Sequence, residues 1–232
     1  MTNLSKPTEV DLKEKKDFLS APVDRRSFLQ FAGAGAATAA LVAAGCKKDR
    51  MITGVYLGDG DIGILNYAYA LEQLEAAFYI QVVATPYSGI SDIEKAYMTD
   101  IRDHEIAHRE FFKNALGSMA IPALEVDFSS IDFTNRTSVL GTAMAFEDLG
   151  VTAYDGVGYL LKSADYLLLA GKVVSVEARH AALIRELVSP NTFLGNQVDS
   201  NSVNLANSPA DVLSIAGKYI KTKINAGGLP TS

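Results

Sequence analysis

Only one cysteine, Cys46, occurs in the 232 residues of the chain. A disulfide framework and a thiolate zinc site each need several, so both are excluded. Tryptophan is missing and prolines number only seven, which says little about class. Basic residues are in the minority: 21 Lys and Arg against 27 Asp and Glu give a net charge of −6. A nucleic-acid partner is therefore not expected, because phosphate binding needs a basic surface. Charged residues make up 21% and hydrophobic ones 48%, which excludes a disordered chain. The length permits one substantial core or two small ones. Histidine is scarce too, at three, so where those three fall carries information.

Two of them fall in a duplicated pattern. The first copy reads Ala70-Leu71-Glu72-Gln73-Leu74, with Tyr79 seven residues after Glu72, followed by Glu105-Ile106-Ala107-His108. The second reads Ala145-Phe146-Glu147-Asp148-Leu149, with Tyr154 seven residues after Glu147, followed by Glu177-Ala178-Arg179-His180. Glu72 precedes Glu105 by 33 residues and Glu147 precedes Glu177 by 30. Each half thus offers one carboxylate on one helix and a Glu/His pair, one turn apart, on the next. Together they supply four carboxylates and two imidazoles, the ligand set of a dinuclear metal site inside a helix bundle.

Hydrophobic periodicity predicts a first helix over about 61–83, with Leu65, Ala68, Glu72, Glu75, Ala76 and Tyr79 on one face. Carboxylates on an apolar face are costly unless paired. Asn66, Ala70, Gln73 and Gln81 fall on the other side. Ser91-Asp92-Ile93-Glu94 is a capping box that starts a second helix, which ends near Leu116 at Gly117. His104 points about 100° away from Glu105 and reads as a surface residue or a supporting neighbour of the site rather than a ligand. Residues 118–136 form a long crossover, of the kind that joins two antiparallel helix pairs. A third helix is expected over about 137–161, with a bend or break near Asp155-Gly156. A fourth spans about 164–188. Ser208-Pro209 begins a short fifth helix, expected to reach about Asn225. Gly150 takes the place in the second half that Glu75 holds in the first.

Four carboxylates balance two divalent cations, and carboxylates with imidazoles suit iron or manganese. Glu105 and Glu177 would bridge, Glu72 and Glu147 would be terminal, and His108 and His180 would bind one metal each. Glu75, about 60° from Glu72, could replace or supplement it. Without metal, the glutamates would have to pair with Arg109, Arg179 or His104.

The first fifty residues read as an address. A polar leader is followed by Asp24-Arg25-Arg26-Ser27-Phe28-Leu29, then by an Ala/Gly-rich run to Gly45. Arg25 and Arg26 resemble the pair of a twin-arginine signal, with Asp24 where Ser or Thr is usual. Leu41-Val42-Ala43-Ala44-Gly45-Cys46 resembles a bacterial lipobox, with Ala43 in place of the favoured leucine. By that resemblance Cys46 would be lipidated and tie the chain to a membrane. An uncleaved membrane helix is the alternative, but the run is marginal in length and weakly hydrophobic. Residues 1–45 carry six basic and five acidic residues, so their removal leaves the chain acidic. The expected organisation is a signal over 1–46, a tether over 47–60 and a helical domain over 61–232.

Leu71-Glu72-Gln73-Leu74-Glu75-Ala76-Ala77-Phe78-Tyr79 and Val176-Glu177-Ala178-Arg179-His180 resemble the ferritin-like superfamily of di-iron carboxylate bundles. Within it they are similar to bacterial exported proteins related to plant desiccation-related proteins. The resemblance covers about 61–188. It implies an all-α fold: a four-helix bundle of two antiparallel pairs with a long crossover and a short C-terminal fifth helix. It implies that the aligned Glu72, Glu105, His108, Glu147, Glu177 and His180 hold two Fe ions, or Mn, with Tyr79 and Tyr154 donating hydrogen bonds to ligands. The twin-arginine resemblance implies export to the cell envelope by a route that carries folded proteins and so allows metal loading before transport. Redox chemistry with O2 or peroxide of the ferroxidase type is the leading expectation. A manganese-type catalase and a non-enzymatic envelope stress or desiccation protein stand as alternatives. A homo-oligomer is compatible with the sequence.

Overall fold

A computed structural model describes residues 53–231. Helix α1 spans Gly60–Ala84 and α2 Asp92–Leu116, joined by a short loop and packed along their lengths. Helices α3, Arg136–Gly158, and α4, Ala164–Val188, form the second such pair. A short helix α5, Pro209–Ala216, packs on α3. The architecture is the all-α bundle that the duplicated pattern predicts. Its local signals act as expected. Ser91 and Glu94 cap each other's backbone at the start of α2, and Ser208 with Pro209 opens α5; Asn135, a cap the sequence reading did not name, starts α3.

Three boundaries differ from the sequence expectation. Helix α3 runs unbroken through Asp155-Gly156 to Gly158. The glycine at 156 serves a close approach instead: a Cβ there would lie 1.8 Å from the carbonyl oxygen of Asn207. Helix α5 stops at Ala216 rather than near Asn225. The chain after it forms strand β2, Ile224–Asn225, parallel to strand β1, Val55–Tyr56. Leu57 is fully buried, so residues 55–57, expected within the tether, belong to the folded domain. Tether residues 47–52, with Cys46, Arg25 and Arg26, lie outside the described residues. None of the described helices is long and apolar enough to cross a membrane.

The crossover is a packed wall rather than a free loop. Asn66 on α1 donates to the carbonyls of Leu57 and Met119, both at 2.9 Å, and accepts from the Ile121 amide at 2.9 Å. Gln73 accepts from the Leu124 amide at 2.8 Å. The side of α1 opposite Glu72 is thus covered by chain, and its polar residues satisfy backbone groups that would otherwise be buried unpaired. Phe128 and Phe133 of the crossover stand edge-on or tilted against Phe78, with centroids at 6.0 and 5.9 Å. Phe78 also meets Phe146 of α3 at 5.1 Å, so one aromatic cluster joins both helix pairs.

Polar clamps fix the bundle ends. Arg136 at the start of α3 donates to Glu94 of α2 at 2.9 and 2.6 Å, and to the Leu187 carbonyl of α4 at 2.8 Å. Asp61 in the first turn of α1 accepts from the amides of Lys162 and Ser163, both at 2.9 Å. Buried Arg185 of α4 grips the carboxylate of Asp148 on α3 with two nitrogens.

Two glycine substitutions test this reading of α3. Gly156→Ala should cost roughly 1–3 kcal/mol, because the new methyl collides with backbone that has to move. Gly141→Ala, where nothing lies within 4 Å of the added Cβ, should gain up to about 1 kcal/mol of helix stability. Thermal melts of the two variants should therefore shift in opposite directions.

Candidate metal centre

Heptad-like spacing along α1 and α3 turns Glu72 and Glu147 inward, and one-turn spacing along α2 and α4 does the same for Glu105/His108 and Glu177/His180. All four glutamates are fully buried. Glu72, Glu105, His108 and Glu177 each bring one ligand-type atom within 4.8 Å of the others. Glu105, Glu147, Glu177 and His180 do the same. The two groups share Glu105 and Glu177.

The shared glutamates divide their oxygens between the groups. Glu177 turns Oε1 to His108 Nδ1 at 2.7 Å and Oε2 to His180 Nδ1 at 3.3 Å. Glu105 turns Oε1 to His180 Nδ1 at 2.9 Å and Oε2 to His108 Nδ1 at 3.8 Å. Glu72 and Glu147 each serve one side, with Oε2 3.5 Å from His108 and His180 respectively. Their other oxygens are occupied. Tyr79 donates to Glu147 Oε1 at 2.5 Å, and Tyr154 donates to Glu72 Oε1. Each tyrosine serves the glutamate of the opposite half, an exchange that spacing along one helix does not reveal.

After these bonds, eight buried atoms of the cluster have no hydrogen-bond partner: Glu72 Oε2, Glu147 Oε2, both oxygens of Glu105 and of Glu177, and Nδ1 of His108 and His180. The imidazole nitrogens sit among several oxygens rather than along a hydrogen bond to one. Buried polar atoms are ordinarily satisfied. Eight left open in one place, in two sets of four, match what two cations would take up.

The electrostatics agree. Burial, then the charge of Glu177, pushes Glu105 up to about 8. Burial also raises Glu72 and Glu147, against the charge of the nearby histidines and the bonds from the tyrosines. The exception is Glu177: burial opposes its charge, but close contacts with both histidines hold it down at about 2. Burial disfavours protonated His180, yet its contacts with Glu105, Glu147 and Glu177 raise it to about 12. His108 is likewise raised by Glu105, Glu177 and Glu72, against burial. Protonated imidazoles thus occupy the role of cations among surplus carboxylates.

Glu75 lies outside both sets. It is buried, and its Oε1 is 3.0 Å from where a Cβ on Gly150 would sit, so the missing side chain at 150 leaves it room. Burial and the charges of Glu105, Glu177, Glu72 and Glu147 push its carboxyl well above the usual range. The alternative pairings do not form. Arg109 bonds Glu110, Arg179 bonds the Ser175 carbonyl, and His104 bonds His180. The last contact was only partly legible: the helical angle turns His104 off the Glu105 face but does not reveal that α4 meets it there.

Comparison with known proteins bears on export and on this centre. A model of the twin-arginine translocation pathway signal matches residues 22–42. It includes Arg25 and Arg26, ends short of Cys46, and supports export across the cytoplasmic membrane. None of the curated proteins compared with the chain is recognisably similar to it. A model described as a ferritin-like domain matches residues 60–190, the span of all four long helices and every residue of the cluster. With its two helix pairs, crossover and buried carboxylate/imidazole cluster, the chain belongs to the ferritin-like domain family.

Proposed function

We propose that this exported ferritin-like protein binds two iron or manganese ions and carries out redox chemistry with O2 or peroxide, of the ferroxidase type. The observation that carries the reading is the set of eight unpartnered donor atoms, divided four and four around shared Glu105 and Glu177. Oxygen and imidazole donors without thiolate suit iron and manganese. Glu105 and Glu177 would bridge, Glu72 with His108 and Glu147 with His180 would complete the two positions, and Tyr79 and Tyr154 would orient the terminal carboxylates. Two such ions, when bound, supply the electrons and open coordination positions by which O2 or peroxide is reduced. As a ferroxidase the protein would take Fe(II) as substrate and release Fe(III). We further propose that residues 1–45 are removed on export and that Cys46 carries a lipid that holds the domain at the membrane.

Metal analysis after anaerobic loading with Fe(II) or Mn(II) tests the centre. Two ions per chain are expected, falling sharply in Glu105→Ala and His180→Ala, with O2- or peroxide-dependent turnover lost in both. A folded, helical protein that holds neither metal would point instead to a non-enzymatic envelope protein. Tyr79→Phe and Tyr154→Phe should keep two ions but weaken binding roughly 10–100-fold, as loss of a partner to a ligand generally does.

Loading should also release protons. Both imidazoles are raised far above neutrality without metal, and each must lose a proton from Nδ1 to bind. Affinity should rise with pH, because protons and metals compete for the same atoms. Calorimetry in buffers of different ionisation enthalpy should show at least one proton released per histidine; a pH-independent affinity would contradict the assignment.

A further inference from the structure

His104 is the one histidine outside the two sets of donors, and it stands on the exposed side of α2. Its ring nevertheless lies nearly parallel to that of His180, at 11° with centroids 5.1 Å apart. His104 Nδ1 is 2.9 Å from His180 Nε2. The two nitrogens of His180 are therefore committed to opposite sides. Nδ1 faces Glu105, Glu177 and Glu147 at 2.9, 3.3 and 3.5 Å, and Nε2 faces His104.

That geometry restricts where hydrogens can sit in a loaded centre. A metal at Nδ1 needs its lone pair, so the ring hydrogen of His180 must be on Nε2. It then donates to His104 Nδ1, which accepts only if His104 carries its own hydrogen on Nε2. The contact thus selects one tautomer of each ring and, with the two rings end to end and nearly coplanar, holds the His180 plane along the bond.

The other half has no such residue. In the duplicated pattern His104 precedes Glu105 as Val176 precedes Glu177. A valine side chain has no acceptor, so Val176 cannot offer His108 the corresponding bond. The near-twofold repeat is broken at this point.

We propose that His104 is a positioning residue for His180, and that it makes the position formed by Glu105, Glu147, Glu177 and His180 the tighter of the two. The inference rests on the dinuclear reading above. It adds that the two positions are unequal and names the residue that makes them so. His104 touches no reacting atom; it acts by holding the ring that does.

The test uses Zn(II), a diamagnetic probe that accepts oxygen and imidazole ligands, titrated into the full chain with 15N-labelled histidine. In the wild type the first equivalent should shift the His180 resonances before those of His108. The His180 Nε2 hydrogen should be visible and downfield. In His104→Val, which installs the residue of the other half, that signal should vanish into solvent exchange. The first step should also weaken roughly 10–100-fold, so the two ions load together. His104→Asn should restore both, because its Oδ1 is as far from the backbone as the ring Nδ1 and can accept the same hydrogen. The exposed position makes all three chains expected to fold, checked by their helical signal and melting.

A valine variant with unchanged stepwise loading and an unchanged Nε2 hydrogen overturns the proposal, as does an asparagine variant no better than valine. Zinc uptake by a wild type that loads both positions equally also overturns it, while leaving the dinuclear reading intact. A wild type that takes up no metal overturns both.

Discussion

Five glutamates meet in the interior of this bundle, and their mutual repulsion is the constraint around which the structure is arranged. Two like charges about 4 Å apart cost roughly 4 kcal/mol at an effective dielectric of 20. Burial adds a penalty for each ionised carboxylate. The fold answers with three devices. Two tyrosines, each from the opposite half, bond one oxygen of a terminal glutamate. Two histidines take up protons among the oxygens. Glycine at 150 leaves space for Glu75, whose carboxyl is pushed toward its neutral form. These devices still leave eight atoms of the cluster, the two imidazole nitrogens among them, without a hydrogen bond. Four carboxylates facing two divalent ions would balance in charge and satisfy those atoms together, which is why the proposed centre and the economy of the fold point the same way.

A core that carries such strain has to be held from outside it. The aromatic cluster around Phe78 draws on α1, α3 and the crossover. Arg136 links the ends of three helices, and Arg185 fixes α4 to the residue next to Glu147. Partly or fully buried charge pairs of this kind set geometry more than they add net stability. Here they hold α3 and α4 in the register that presents Glu147, Glu177 and His180 to one another. The crossover closes the side of α1 away from the cluster, so that the helix is buried without a break from Gly63 to Ala76, on both sides of Glu72.

The repeat is close to twofold in its donors and not in their surroundings. Glu75 has Gly150 as counterpart, and His104 has Val176. Both departures lie beside the donors rather than among them, where a change alters one position without removing it.

Much of this was legible in the order of residues. The duplicated Glu, Tyr at +7 and Glu-x-x-His pattern fixes inward faces by helical angle alone, so the bundle class and the convergence of the six donor residues could be read from it. The caps at Ser91 and Ser208 are local, made within a turn of the chain, and local chemistry is what sequence encodes directly. Contacts between distant segments were not. That Gly156 admits the Asn207 backbone rather than breaking α3, that β2 replaces the end of the fifth helix, and that the chain before α1 joins the fold all depend on segments roughly 50 to 170 residues apart. The exchange of tyrosines between halves and the bond between His104 and His180 belong to the same class. Periodicity tells which way a side chain points from its own helix; only the packed bundle decides what stands opposite.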